Sequence, residues 1–153
     1  MSLPQRLYEH GDEQGQWGGV EMSRDRCIEL VIPAAPELWG LARMAVASVA
    51  SKLGFDLEEI EDLRLAVDEL CITCALGGSP RSVLRLACYW SDAGLYLECA
   101  VTPVEQAGGM KDGEAKGFSQ EELSRNILAA LVDAHGISPA GDGTRTGWLR
   151  KAG

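Results

Sequence analysis

The chain has 153 residues, of which 46% are hydrophobic and 24% are charged, values typical of one soluble globular domain. This composition excludes a disordered, collagen-like or coiled-coil chain. Fourteen basic residues against 23 acidic ones give a net charge of −9. Because no dense run of lysine and arginine is present, we expect no direct binding of nucleic acid.

The start of the chain and its cysteines indicate a reducing compartment. Residues 1–6 lack the apolar segment of a secretory signal. The apolar stretch of residues 38–53 is too short and too polar to span a membrane. The five cysteines are an odd number, which does not suit a disulfide framework. We expect a cytoplasmic protein without membrane attachment.

Two of the cysteines, Cys71 and Cys74, match the pattern C-x-x-C. A zinc site needs two more thiolates or imidazoles at suitable spacing, and the only histidines are His10 and His135. Buried free cysteine packs as a small hydrophobic residue. We therefore expect these two side chains in the core and no metal site, with a redox role as the alternative.

The beginning of the chain is predicted to hold a tail and a strand. Residues 1–25 are polar, rich in glycine and without a hydrophobic period, which predicts a flexible N-terminal tail before a domain of residues 26–153. Residues 26–32 are rich in β-branched side chains and are followed by Pro33, which predicts a strand.

Two helices are predicted next. The first begins at Pro36, which suits a first helical turn, and ends at Gly54. The second begins after Asp56, a suitable N-cap, and ends at Gly77. Apolar residues recur in both at spacings of three and four, which predicts one buried face for the first helix. They are Leu38, Leu41, Ala42, Ala45, Val49 and Leu53, then Ile60, Leu63, Val67, Leu70, Cys71 and Cys74. The second helix has a further stripe of Leu65, Ile72 and Leu76, which predicts burial on two sides.

The second half is predicted to form a hairpin, a long loop, a third helix and a last strand. Residues 82–90 and 95–101 alternate in hydrophobicity, as hairpin strands do. A glycine-rich loop covers 102–117, a helix opened by a capping box covers 119–136, and a strand covers 144–151. The apolar positions of the third helix are Leu123, Ile127, Leu128, Leu131 and Val132. This order predicts an α+β two-layer sandwich with a mainly antiparallel sheet covered on one face by three helices.

Two segments resemble a known family of regulators. They are residues 30–54, LVIPAAPELWGLARMAVASVASKLG, and residues 60–71, IEDLRLAVDELC. They are similar to the bacterial anti-sigma factor serine/threonine-protein kinases, the partner-switching regulators of stress and sporulation sigma factors. The likeness extends over residues 28–76 and is closest to short actinobacterial-type members with degenerate ATP motifs. It implies the histidine-kinase-like (Bergerat) ATPase fold and a homodimer.

The resemblance also assigns roles to site residues. In that family a glutamate acts as general base, and an asparagine one helical turn later helps to hold Mg²⁺ on the nucleotide. Glu69 matches the glutamate, but Thr73 replaces the asparagine, and a hydroxyl is a shorter and poorer magnesium ligand. Without the resemblance, Glu69 would be read as a charged residue satisfied by a salt bridge or by water.

Other nucleotide motifs of the family are degenerate as well. The Asp-x-Gly-x-Gly motif is missing from residues 101–109. Only Gly143 and Thr144 resemble the adenine-side Gly-Thr pair, and such a pair is also a common turn into a strand. We therefore expect Mg-ATP to bind weakly or not at all, and Glu69 to be a remnant of a catalytic base.

The partner surface implied by the resemblance lies on the first helix. Arg43 matches an arginine that contacts both the sigma factor and the competing anti-anti-sigma factor, although it also suits a solvated helix position. Trp39, one turn earlier, fits either an interface anchor or the core. The resemblance thus implies an anti-sigma factor that sequesters a stress-type sigma factor and is released by an anti-anti-sigma partner. The alternatives are an active ATP-dependent serine kinase acting on that partner, and a redox-responsive regulator.

Overall fold

The computed structural model describes residues 16–17, 20–21, 24–76, 78–103, 122–139 and 143–152. Seven strands are found in these ranges: β1 (Gln16–Trp17), β2 (Val20–Glu21), β3 (Cys27–Pro33), β4 (Val83–Ser91), β5 (Gly94–Thr102), β6 (Ala134–Pro139) and β7 (Arg145–Ala152). Five of them form one sheet in the order β3-β4-β5-β7-β6, with every neighbouring pair antiparallel. β1 and β2 pair separately.

Three helices contribute to the structure: α1 (Trp39–Lys52), α2 (Leu57–Ala75) and α3 (122–131). Short 3-10 turns at Arg24–Arg26 and Pro36–Leu38 precede β3 and α1. None of the described helices combines the length and the hydrophobicity that crossing a bilayer requires.

Asp56 begins α2 as the sequence predicts. Its carboxylate accepts a hydrogen bond from the Glu59 N–H at 2.8 Å, and the Glu59 carboxylate accepts one from the Asp56 N–H at 3.0 Å. This reciprocal pair satisfies two backbone donors that the helix itself leaves without partners. The start of α2 is therefore fixed by its own sequence.

One face of the sheet and the three helices enclose the main core. Alternate residues of the hairpin strands β4 and β5 point toward the helices because side chains alternate along a strand. The largest fully buried ones on this face are Leu84, Leu86, Leu95 and Leu97, and they pack in one cluster with Val46, Leu63, Leu70 and Leu128 of the helices. The predicted two-layer sandwich with an antiparallel sheet and three helices is confirmed.

The other face of the sheet is aromatic and also buried. Tyr89 and Tyr96 lie opposite each other on β4 and β5, with ring centroids 6.4 Å apart, and Trp148 stacks on Tyr96 at 6.2 Å. The Tyr96 hydroxyl donates to Glu98 at 3.4 Å. β2, from the segment predicted as a tail, contacts β4 and β5. The domain boundary at residue 26 stays a prediction.

The predicted strands and helices of residues 26–101 agree with the structure to within two or three residues at most boundaries. Two other predictions fall mainly outside the described residues. These are the glycine-rich loop of 102–117, beyond Pro103, and the capping box at residue 119.

The prediction for residues 132–139 is wrong, and residues 140–142 of the predicted link lie outside the described residues. The third helix ends at 131 rather than at Gly136, and Ala134–Pro139 forms the edge strand β6 where a link was predicted. Glycine and proline are rare inside strands, so the sequence pattern indicated a link here, although proline is tolerated at the edge of a sheet. Gly136 lies against the Trp148 indole, where a Cβ atom would come within 2.5 Å of Nε1. A close cross-strand contact explains the glycine.

His135 on β6 makes folding sensitive to pH. Burial, with a further contribution from Arg125, lowers the pKa of His135 below the usual histidine value of 6.5. Between the folded and unfolded pKa values the unfolded chain binds more protons, so the free energy of unfolding falls as the pH drops through 6.5. We expect denaturant titrations between pH 7.5 and 5.5 to show this loss, and His135→Gln to reduce it. An unchanged slope in that variant would contradict the assignment.

Candidate functional site

Helix α2 carries the residues that the sequence analysis places in the site, and its contacts with β7 fix its position. Lys151 Nζ lies 3.9 Å from Asp62 Oδ2 near the start of the helix. Near its end, Leu70 and Cys74 lie directly over Gly147, where a Cβ atom would come within 2.7 Å of the Leu70 side chain. α2 therefore runs antiparallel to β7 and touches its backbone closely.

Glu69 makes a hydrogen bond to a residue far away in the sequence. Ser124 Oγ, on α3, donates to Glu69 Oε2 at 2.9 Å. The Ser124 side chain is buried, with 1% of the residue exposed, whereas Glu69 is partly exposed. The carboxylate that the sequence analysis matched to a general base is thus bonded to a hydroxyl of the same chain.

Thr73, one turn after Glu69, is fully buried. Its hydroxyl donates to the backbone carbonyl of Glu69 at 2.8 Å, a bond within the helix. The hydroxyl proton is therefore committed to the backbone of α2, and burial keeps the hydroxyl oxygen away from solvent. Magnesium needs several oxygen ligands in near-ideal octahedral geometry, so Thr73 and Glu69 in this arrangement do not fit a magnesium-bound nucleotide.

Gly143 and Thr144 lie just before β7, next to the end of β5. Gly143 has a backbone φ of +89°, which favours glycine, and a Cβ atom there would come within 3.3 Å of Pro103. Thr144 is buried. The turn into β7 thus accounts for the glycine, and the role of this pair in binding adenine stays a prediction.

Arg43 on α1 lies beside α2 rather than extending freely into solvent. Its guanidinium and Asp68 Oδ1 form an ion pair of 2.5 Å, with both side chains about one third exposed. Trp39 packs against the core, and its Nε1 is buried with no hydrogen-bond partner among the described residues. The contact roles predicted for Arg43 and Trp39 remain predictions.

The outer surface of α1 and α2 exposes several large apolar side chains, which we call the α1–α2 surface. Its most exposed members are Met44 at 64% and Leu57 at 75%, and Leu41 and Leu65 are also exposed. A groove of about 540 Å³ runs between the two helices here. Apolar patches of this kind are frequent where proteins bind partners.

The cysteines occupy positions that do not favour redox chemistry. Cys71, Cys74, Cys88 and Cys99 are buried, and only Cys27 is partly exposed among the five. Cys74 Sγ lies 3.7 Å from the Cys99 carbonyl. Hydrogen bonds with Cys71 and Cys74, then burial, raise the pKa of Cys99. Because the thiolate is the reactive form, this arrangement favours packing.

A thiol-reactive reagent tests this interpretation. We expect at most one thiol per folded chain to react with Ellman's reagent within minutes, and all five to react in denaturant, because four of them are buried. Cys27→Ser should remove the fast reaction. Two or more fast thiols in the folded protein would instead support the redox alternative.

Part of the chain is similar in sequence to known serine-protein kinases. The chain is 52% identical over 44 residues to the serine-protein kinase RsbW of Bacillus pumilus, which is 29% of this chain and 27% of that protein. It is 48% identical over 44 residues to RsbW of Bacillus subtilis, 29% and 28% of the two chains. It is 48% identical over 48 residues to RsbW of Oceanobacillus iheyensis, 31% and 30% of the two chains.

The chain resembles serine-protein kinases. The resemblance drawn from the sequence is therefore confirmed. The aligned stretch spans less than one third of each RsbW protein, and no protein-family model matches the chain.

Ser124 is the member of the site that sequence reasoning missed. The apolar stripe predicted for α3 included Leu123, but Leu123 is 58% exposed and Ser124 is buried instead. Ser124 precedes the buried Leu128 by four residues, so both lie on one helix face. A serine on the buried face was the available signal, and a buried hydroxyl needs a hydrogen-bond partner.

Proposed function

We propose that this chain is a cytoplasmic anti-sigma factor. It binds a stress-type sigma factor, keeps it from RNA polymerase, and releases it when an anti-anti-sigma factor competes for the same surface. The family resemblance supports the class of partner. It also supports a homodimer as the functional unit.

The burial and the hydrogen bond of Thr73 favour this proposal over a working kinase. Phosphoryl transfer depends almost entirely on a positioned metal and positioned charges. Here the residue at the magnesium-ligand position is fully buried and its hydroxyl donates to the Glu69 carbonyl. Binding a partner needs neither metal nor nucleotide, so the chain acts by sequestration.

The α1–α2 surface supports the location of the partner contact. It contains exposed apolar side chains, among them Met44 and Leu57, and the Arg43–Asp68 ion pair joins the same two helices. Interface hot spots are enriched in arginine and in aromatic residues, and Arg43 is a residue of this kind. The two partners compete for this one surface, and the exchange follows their relative affinities.

The second candidate is an active serine kinase that phosphorylates the anti-anti-sigma factor. It is favoured by Glu69, which keeps the carboxylate of the general base, and by the names of the RsbW relatives. In this case Mg-ATP would bind and the anti-anti-sigma factor would gain one phosphate.

A binding experiment without nucleotide tests the first candidate. The purified chain is mixed with a stress-type sigma factor from the same cell, and the complex is measured by size-exclusion chromatography and calorimetry. We expect a stable complex that dissociates when the anti-anti-sigma factor is added. The mass of the anti-anti-sigma factor should not change after incubation with Mg-ATP. Complex formation only in the presence of Mg-ATP, or a mass gain of one phosphate, would support the kinase instead.

A further inference from the structure

We propose that Ser124 is an internal plug of the Glu69 carboxylate. Its hydroxyl takes the position on Glu69 Oε2 that the hydroxyl of a partner's serine would need in a kinase. This inference rests on the proposed function, in which the chain binds its partners without phosphorylating them and Glu69 no longer acts as a base. It adds a reason, located on α3, why the carboxylate does not serve a partner.

The distance supports this reading. A general base must lie about 2.6–3.2 Å from the oxygen whose proton it takes, and Ser124 Oγ lies 2.9 Å from Glu69 Oε2. The Ser124 hydroxyl donates to the carboxylate, as an attacking hydroxyl does before it loses its proton. A hydrogen bond to an ionised group is stronger than one between neutral groups. A second hydroxyl that approaches Oε2 from the side of α3 has to displace Ser124 first, because Ser124 occupies the acceptor site there.

Ser124 cannot easily move aside. It is almost completely buried, and Leu128 on the same face of α3 is fully buried in the core. At the other end of the helix, Lys151 Nζ donates to the Leu131 carbonyl at 2.8 Å. α3 is therefore held at both ends, and turning Ser124 away from Glu69 would require moving Leu128 out of the core.

Glu69 is held as firmly on its own helix. Its backbone carbonyl accepts the Thr73 hydroxyl. The next residue, Leu70, is fully buried where α2 meets Gly147 of β7. The two ends of the Ser124–Glu69 bond thus belong to two anchored helices. The Ser124 hydroxyl occupies the place of a phosphoryl acceptor. Because it is buried, a nucleotide in solution cannot reach it.

Chemical modification of carboxylates tests the plug without any partner. The folded full-length chain is treated with a water-soluble carbodiimide and glycinamide, and the extent of amidation at each carboxylate is followed by mass spectrometry. Glu61, whose side chain is 59% exposed, is the internal reference. The test compares Ser124→Ala, which removes the hydroxyl, with Ser124→Thr, which keeps it.

We expect Ser124→Ala to increase the rate of amidation at Glu69 by about 10-fold, the worth of one lost hydrogen bond. Glu61 should react at the wild-type rate, and Ser124→Thr should leave Glu69 slow. An unchanged Glu69 rate in Ser124→Ala, or an equally fast rate in Ser124→Thr, would overturn the proposal.

If Ser124→Ala does not fold, amidation of the wild-type chain still tests the proposal. Glu69 should react at least 10-fold more slowly than Glu61 in the folded protein, and at a similar rate in denaturant. Equal rates in the folded protein would contradict the plug. Neither experiment uses a sigma factor, so failure to bind one would refute the proposed function while leaving this result intact.

Discussion

Replacing Arg43 with glutamate is expected to weaken binding of the sigma factor by about 30-fold or more. Removing an arginine hot spot from an interface costs about 2 kcal/mol or more, which corresponds to that factor. The fold should change little, because Arg43 and Asp68 are each about one third exposed and such pairs contribute about 1 kcal/mol or less. Calorimetric titration with the sigma factor, together with thermal unfolding, measures both effects.

The Arg43–Asp68 ion pair provides a matched control for this prediction. The double variant Arg43→Glu/Asp68→Arg reverses both charges and restores the pair between α1 and α2. If Arg43 itself contacts the partner, the double variant binds as weakly as Arg43→Glu. Recovery of wild-type affinity in the double variant would show that binding depends on the ion pair and not on a contact made by Arg43. Wild-type affinity in Arg43→Glu itself would contradict any contact between Arg43 and the partner.

Replacing Gly147 with alanine is expected to destabilise the protein by about 2 kcal/mol, the usual cost of overpacking a core. A Cβ atom at this position would come within 2.7 Å of Leu70 and 3.0 Å of both Cys74 and Ile137. These neighbours lie on α2 and β6, so the addition pushes the helix that carries Glu69 away from β7. The corresponding fall in melting temperature is about 6 °C for a chain of this size.

Gly78 is the control for the Gly147 prediction. The same added atom there would meet its nearest neighbour, the Ala75 carbonyl, at 3.4 Å, which is an ordinary contact. We expect Gly78→Ala to change the free energy of unfolding by less than about 0.5 kcal/mol. Equal stability of the two variants in denaturant titrations would show that α2 does not depend on the close approach to Gly147.

Much of the fold follows from local patterns in the sequence. The alternation in residues 82–101 predicts the central hairpin because its two strands bury one face against the helices. Asp56 and Glu59 fix the start of α2 because capping depends only on neighbouring residues. Features of this kind are determined within a few residues and are therefore visible without the tertiary structure.

β6 and the buried aromatic face could not be predicted in this way. β6 contains Gly136 and Pro139, which indicate a turn, and the reason for the glycine is the Trp148 ring of the neighbouring strand. Likewise, the contact of β2 with β4 and β5 joins residues that are far apart in the sequence. Contacts between distant segments override local propensity.

In the candidate site too, local features could be predicted from the sequence, whereas contacts between distant segments could not. Its family motif placed Glu69 and Thr73 one turn apart on a helix, and the structure has them so. The partner of Glu69, however, is Ser124, which lies 55 residues further along the chain. Arg43 likewise was predicted to face a partner, while its ion pair with Asp68 depends on how α1 and α2 pack together.

The most direct test of the central claim is calorimetric titration of Mg-ATP into the folded chain, with Glu69→Ala as the reference. A chain that works by sequestration, with Glu69 occupied by Ser124 and Thr73 bound to its own helix, should give no saturable heat at millimolar nucleotide, and the variant should give the same trace. Saturable binding at micromolar Mg-ATP that is lost in Glu69→Ala would contradict this account and identify an active nucleotide site.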